Sequence, residues 1–328
     1  MDGTEATIIE QKEELRQIAQ RLKLGNLEEA LYFPKYFQVE TIRLCNARCP
    51  FCSVDQWDKS HPFMADALYD KIVAEMSEYA DWIEFVAVQR AGEPLLDKKI
   101  VSRIAKLKQA GIRRVSLSTN ASRLDDAMAR ALLQSGLDEI MFSIDSIDEE
   151  SYRRMRVGLP YEEVMANIRN FFRVRQQCRP DCIVRVRGVS FYDLSREEHR
   201  QELKRWEAFW APLTGPQDRI YMKRAHNWGN QKEWKGHIPE NQEWVYHPCV
   251  LPWSTMHISA MGIVALCPQD YDAKMNLGDI NVSSIAEVWR NAKWQAIRRQ
   301  HASGRRNEIS FCQGCRLFDL DNSLENKV

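Results

Sequence analysis

The chain carries no net charge, because 46 Lys and Arg balance 46 Asp and Glu across 328 residues. That absence removes the overall basic field that nucleic acid or an anionic membrane surface would need, and it points to compact molecules or a specific protein surface as partners. Long apolar runs are missing too. The run IEFVAV at 83–88 is far too short to span a bilayer, and MDGTEATIIEQKEELRQIAQRLKL at 1–24 lacks the apolar core of a signal peptide. The expected location is therefore cytoplasmic. No internal repeat or low-complexity segment is visible. What the chain does have is cysteine, nine in all. A reducing compartment discourages disulfides, which leaves metal binding, redox work or inert burial. The nine fall into three groups: Cys45, Cys49 and Cys52; Cys178 and Cys182; and Cys249, Cys267, Cys312 and Cys315.

Residues 7–31 have helical periodicity, after which the pattern alternates. Short β-rich runs predict strands at 37–44, 82–88, 113–118, 139–144, 182–189 and 219–223, and amphipathic stretches predict helices at 65–79, 97–110, 124–135, 161–177 and 195–210. Six strands separated by five helices imply a parallel sheet with right-handed crossovers. Periodicity does not decide between a doubly wound sheet and a partial barrel. In both, chemistry collects beyond the carboxyl ends of the strands. Those ends carry CNARCPFC (45–52), QRAGEP (89–94), STN (118–120), SIDS (143–146), Arg187 with Ser190, and KRAHNWG (223–229). Past residue 225 the texture changes to Trp-, Asn- and Gly-rich sequence with one helical stretch, SIAEVWRNAKWQAIRRQ. The expected organisation is an N-terminal helical segment at 1–35, a core at 36–225 and an appended region at 226–328.

Three thiols spaced C-x3-C-x2-C, with only His61 nearby, fall short of the four ligands of a structural zinc. Thiolates are soft ligands, and a four-iron cluster held by three of them keeps one iron open for substrate. CNARCPFC, with an aromatic residue before its last cysteine and placed after the first strand of a βα series, resembles the radical S-adenosylmethionine (SAM) enzymes. The resemblance implies a [4Fe–4S] cluster on Cys45, Cys49 and Cys52 that binds SAM and releases a 5′-deoxyadenosyl radical. RAGEP at 90–94 resembles the family's Gly-Gly-Glu-Pro motif, with Ala91 replacing the first glycine. It implies that the backbone around Gly92 and Glu93 holds the SAM amino group. Ser118, Asn120, Ser143 and Asp145 fall where the family contacts ribose or carboxylate, and Arg187 joins them as a cofactor contact. The fold class implied is α/β, a partial (β/α)6 TIM-like barrel with a C-terminal cluster-binding twitch/SPASM-like domain.

The late cysteines read C-x12-G-x4-C, with Gly262 between Cys249 and Cys267, followed by C-x2-C at 312–315. Spacing alone leaves a four-cysteine zinc site and an iron–sulfur cluster both open. The pattern resembles the SPASM extension of radical SAM enzymes, or its truncated twitch form. Full SPASM domains continue with further cysteines, and none follows Cys315 here. The resemblance then implies one auxiliary [4Fe–4S] cluster on Cys249, Cys267, Cys312 and Cys315, as in the 2-deoxy-scyllo-inosamine dehydrogenase type. It also implies two-electron oxidation of a sugar, aminocyclitol or similar alcohol, with the auxiliary cluster as electron acceptor and flavodoxin or ferredoxin as electron donor. Lys223, His226 and His257 are candidates for accepting the proton. Cys178 and Cys182 fall at the amino-terminal face, away from the active rim, and are read as structural. Two alternatives stand beside this: a radical SAM peptide maturase, and a non-enzymatic, zinc-stabilised interaction protein.

Overall fold

The computed structural model describes residues 13–190, 196–225, 228, 247–313 and 315. Eight strands form one sheet: β1 (Tyr36–Val39), β2 (Phe85–Ala87), β3 (Val115–Thr119), β4 (Glu139–Ser143), β5 (Ile183–Ser190), β6 (Arg219–Arg224), β7 (Thr255–Ile258) and β8 (Val264–Ala265). Their order is β6-β5-β4-β3-β2-β1-β7-β8. Every pair from β6 to β7 is parallel, and only β7–β8 is antiparallel. β1 to β6 lie side by side in chain order with no reversal. A doubly wound sheet must reverse, so the winding is that of an open partial barrel. Helices Asp66–Ser77, Ile100–Gln109, Asp126–Gln134, Tyr161–Cys178 and Glu197–Trp210 lie between successive strands, as their periodicity predicts.

Period-2 alternation along β5 explains how the barrel sorts its side chains. Val184 and Val186 are buried in the hydrophobic core, whereas half-buried Arg185, Arg187 and Val189 line the central cavity. Helix starts are set by capping. Asp125 accepts the amide hydrogen of Met128 at 2.8 Å, which satisfies an otherwise orphaned donor.

Several expectations are corrected. β1 ends at Val39 rather than 44, because the chain beyond it pairs with 62–64 instead: the Arg43 amide donates to the Pro62 carbonyl, the Met64 amide to the Thr41 carbonyl, and Ile42 bridges Phe63. The N-terminal helix does not run to 31. Among the described residues helix spans 13–21, and Lys23 at φ 56° with a Leu24 amide to Ala19 carbonyl bond closes it as a left-handed cap. A short helix at Glu149–Met155, started by Asp148, was not expected. The stretch 284–300 is two helices, Ile285–Arg290 and Ala292–Ala302, because Asn291 is extended and caps the second by accepting from Trp294. Beyond 225, β7 pairs with β1 in parallel and continues the barrel's sheet. Its four residues, TMHI, are all buried, so no alternation marks them as a strand. Among the described residues no helix is long and apolar enough to cross a membrane.

Candidate active site

The segment after β1 carries the first three thiols to the barrel's carboxyl rim. Cys49 is buried, Cys45 and Cys52 are half-buried, and the Cys52 amide donates to the Cys49 carbonyl at 2.9 Å. Burial pushes the Cys45 thiol up to about 12 and raises Cys49 as well. The RAGEP loop closes directly on this segment. Gly92 has φ +76°, and a Cβ there would meet the Ile42 carbonyl oxygen at 2.5 Å and that of Leu44 at 2.9 Å. The Glu93 amide donates to the same Leu44 carbonyl at 2.8 Å. Gly92 thus permits close approach, and the group approached is the chain just before Cys45.

Glu93 ties this loop to the next. One carboxylate oxygen accepts from Thr119 Oγ1 at 2.6 Å and the Leu95 amide at 3.1 Å, the other from the Asn120 amide at 2.7 Å. Asn120 Nδ2 in turn donates to Asn46 Oδ1 at 3.0 Å, inside the cysteine loop. Asp145, just past β4, makes a comparable tie. Arg156 Nε and Nη2 grip its two oxygens at 2.6 and 2.9 Å, and the Val189 amide donates to it at 2.7 Å. Arg156 also directs Nη1 to Cys49 Sγ at 3.9 Å. Both carboxylates are thus held by protein donors, and Glu93 also borders the cavity. Ser118 and Ser143 line the cavity with their hydroxyls 3.4 Å apart. Arg187 is also on the cavity; Nη2 lies 3.5 Å from Ser143 Oγ, and Nε has no partner among the described residues. Burial lowers its pKa. Lys223 lines the same cavity, and His226 lies outside the described residues.

His257, on β7, is almost wholly buried. Its Nδ1 lies 3.1 Å from Gln38 Oε1, an oxygen that only accepts, so the ring proton is on Nδ1. Nε2 is buried and has no partner among the described residues, and the residue borders the cavity. Burial, then Arg90, holds its pKa well below the usual histidine range. Trp228 also borders the cavity and donates Nε1 to the Phe51 carbonyl at 2.7 Å.

The four late thiols come from a loop before helix Leu251–Ser254, the end of the β7–β8 hairpin, and the turn Ser310–Cys312 with Cys315 beyond it. The Cys249 amide donates to His301 Nδ1 at 3.0 Å, and His301 Nε2 lies 3.7 Å from Cys312 Sγ. Arg306 donates to the Cys315 carbonyl at 2.9 Å. Burial, then the charge of neighbouring thiols, raises Cys267 and Cys312. Such thiols become thiolates only where a cationic centre offsets burial, and soft sulfur donors suit iron–sulfur clusters. Among the described residues no three His, Cys, Asp or Glu side chains converge on a single-ion site. Cys182 is buried beneath the barrel, with its thiol raised to about 12, and Cys178 is exposed beside Arg130.

Sequence reasoning missed Arg156 and His301. No spacing rule marks either; only the fold brings them to a sulfur.

A family model described as the radical SAM superfamily matches residues 39–203. The chain belongs to the radical SAM superfamily. A second family model, an iron–sulfur cluster-binding domain named SPASM, matches residues 249–316. This radical SAM enzyme thus joins two domains that both imply [4Fe–4S] clusters. Among curated proteins, it is 27% identical over 111 residues to the "Tungsten-containing aldehyde ferredoxin oxidoreductase cofactor-modifying protein" of Pyrococcus furiosus, covering 34% of this chain and 31% of that protein. It is 30% identical over 135 residues to a GTP 3',8-cyclase of Hydrogenovibrio crunogenus, covering 40% of each. The chain thus spans less than half the length of these relatives. Among solved structures, anSMEcpe with bound AdoMet matches with TM-score 0.64 at 15% identity, covering 89% of both chains. BtrN in complex with AdoMet and 2-DOIA matches at 0.58 and 17%, covering 86% of this chain and 92% of that one. Streptococcus suis SuiB bound to precursor peptide SuiA matches at 0.63 and 14%, covering 86% and 70%. At such identities these likenesses establish the fold alone.

Proposed function

We propose that the chain oxidises a sugar, an aminocyclitol or a similar alcohol by two electrons. One observation carries the proposal: a single cavity of about 1210 Å³ is lined by all seven thiols of the first and last groups and by His257. On this assignment residues 36–225 form the core barrel, 226–328 the auxiliary-cluster region, and 1–35 an N-terminal segment. Cys45, Cys49 and Cys52 hold the SAM-binding cluster; Cys249, Cys267, Cys312 and Cys315 hold the auxiliary one. When loaded, the first cluster with SAM supplies hydrogen-atom abstraction from a carbinol carbon and the second takes up the electron left behind, so the hydroxyl proton remains for the chain itself to remove.

His257 is the proposed acceptor of that proton: it borders the cavity, and burial keeps its ring neutral. Lys223 lines the same cavity and is the second candidate. Arg187, half-buried on the cavity wall, offers its guanidinium to an oxygen acceptor of the bound molecules, a carboxylate or a hydroxyl. The Gly92–Glu93 backbone, Ser118, Asn120 and Ser143 form the SAM side, with Glu93 and Asp145 holding that wall in place. A small-molecule substrate is in keeping with BtrN, whose structure holds AdoMet and 2-DOIA; anSMEcpe, matched to a like extent and solved with a Cp18Cys peptide, keeps a peptide as the second reading. A flavodoxin or ferredoxin is the proposed electron donor.

Anaerobic reconstitution tests this. About eight irons per chain are expected, with 5′-deoxyadenosine released on addition of SAM and reductant, and about four irons with no release after Cys45, Cys49 and Cys52→Ala. Zinc occupancy without release overturns the enzyme. For substrate class, sugars and aminocyclitols deuterated at carbinol carbons should pass deuterium to 5′-deoxyadenosine; transfer from labelled peptides instead overturns the alcohol assignment.

A further inference from the structure

His301 stands between two of the four late thiols. It projects from helix Ala292–Ala302 and is 1% exposed. Its Nδ1 accepts the Cys249 amide hydrogen at 3.0 Å, and its Nε2 lies 3.7 Å from Cys312 Sγ, within hydrogen-bond range for the larger sulfur atom. A backbone amide can only donate, so Nδ1 carries no proton and the ring's single N–H is on Nε2, aimed at the sulfur. The tautomer therefore follows from the fold. Trp253 packs edge-on against the ring, with centroids 6.2 Å apart at 83°, and holds its orientation.

We propose that His301 is a positioning residue for electron transfer, donating Nε2–H to the Cys312 sulfur and thereby raising the reduction potential of the group those thiols hold. The inference rests on the assignment of an auxiliary [4Fe–4S] cluster to Cys249, Cys267, Cys312 and Cys315. Four thiolates give such a cluster a net negative charge, which grows on reduction. A hydrogen bond to a ligand sulfur draws density from it and favours the reduced form over the oxidised one. Arg306, 1% exposed and bonded to the Cys315 carbonyl, adds a fixed positive charge to the same side. Together they bias the late site toward receiving electrons, the direction that oxidation of an alcohol requires.

The test uses the full chain with Cys45, Cys49 and Cys52→Ala, so that the late site alone gives a paramagnetic signal. Iron content, midpoint potential and pulsed-EPR couplings are measured with and without deuterium exchange and nitrogen-15 histidine. About four irons are expected, with one exchangeable proton and one histidine nitrogen coupled to the reduced cluster. His301→Leu should lower the midpoint potential. His301→Gln should recover most of it, because Oε1 can accept from the Cys249 amide while Nε2 donates to sulfur. Absence of iron at the late thiols overturns the cluster assignment and this inference with it. About four irons with an unchanged potential in His301→Leu overturns the inference alone. If His301→Leu loses its iron, the couplings of the unsubstituted histidine decide, and their absence overturns the proposal.

Discussion

A histidine can be kept neutral by its surroundings, and His257 shows how. Burial acts first and the Arg90 guanidinium second, both disfavouring a second proton on the ring. The unfolded chain takes up that proton below about pH 6.5, whereas the folded chain does so only at much lower pH. Between the two the unfolded state binds more protons, so stability falls as pH is lowered from 6.5. His257→Gln should lose less stability over the same interval. Urea unfolding at about pH 7.5 and about pH 5 measures it, and equal losses in the two chains would show that His257 titrates normally. The seven thiols of the first and last groups were legible as a set because their spacing is itself the signal, and the structure brings all seven to one cavity. His301 and Arg156 were not, since a lone His on a helix and an Arg after SYRRM look like ordinary surface residues until the fold places one 3.7 Å and the other 3.9 Å from a sulfur.

Elements met their sequence signals where one face was apolar and the other was not. β5 reads IVRVRGVS, alternates along its length, and formed where expected. β7, buried on both faces, gave no alternation and was missed, although it brings His257 to the cavity. Loops were legible by composition but not by partner. GEP suggested close backbone approach, and the structure identifies the neighbour as the Ile42 and Leu44 carbonyls. Gly92→Ala should therefore cost about 2–4 kcal/mol, combining left-handed strain with overpacking against backbone that cannot rotate away. The chain before Cys45 must shift, so iron retention at the first site should fall as well. Gly215→Ala is the control: its Cβ meets nothing nearer than Asp218 Oδ2 at 3.7 Å, and its effect should stay within about 0.5 kcal/mol. Comparable urea midpoints for the two variants would refute the close-approach argument.

Across the molecule, a buried charge cluster joins the first thiol loop to the segment that follows Cys267. Glu40 stands 3.5 Å from Arg43 and 3.7 Å from Arg90, with all three side chains at most 1% exposed. Arg43 reaches the Tyr271 carbonyl at 3.2 Å and Asp272 Oδ1 at 2.5 Å, while Arg90 donates to the Tyr271 carbonyl at 2.7 Å and to the Asp270 carbonyl. Glu40 also accepts the Ala260 amide at 2.9 Å, in the β7–β8 hairpin. Such a cluster owes little of its worth to net attraction, because desolvation offsets most of the Coulomb gain. Removing one member is a different matter. Glu40→Gln leaves Arg43 with Asp272 as its counter-charge and Arg90 with backbone carbonyls, and should cost about 3–5 kcal/mol. The cluster touches both halves of the site, so the damage should not stay on one side. Iron should be lost on anaerobic dialysis from the early and late thiols in parallel, followed by iron content and by the spectra of the two clusters separately. Loss confined to the Cys45 group would mean that the segment at 270–272 is held by other contacts and that the two halves of the cavity stand independently.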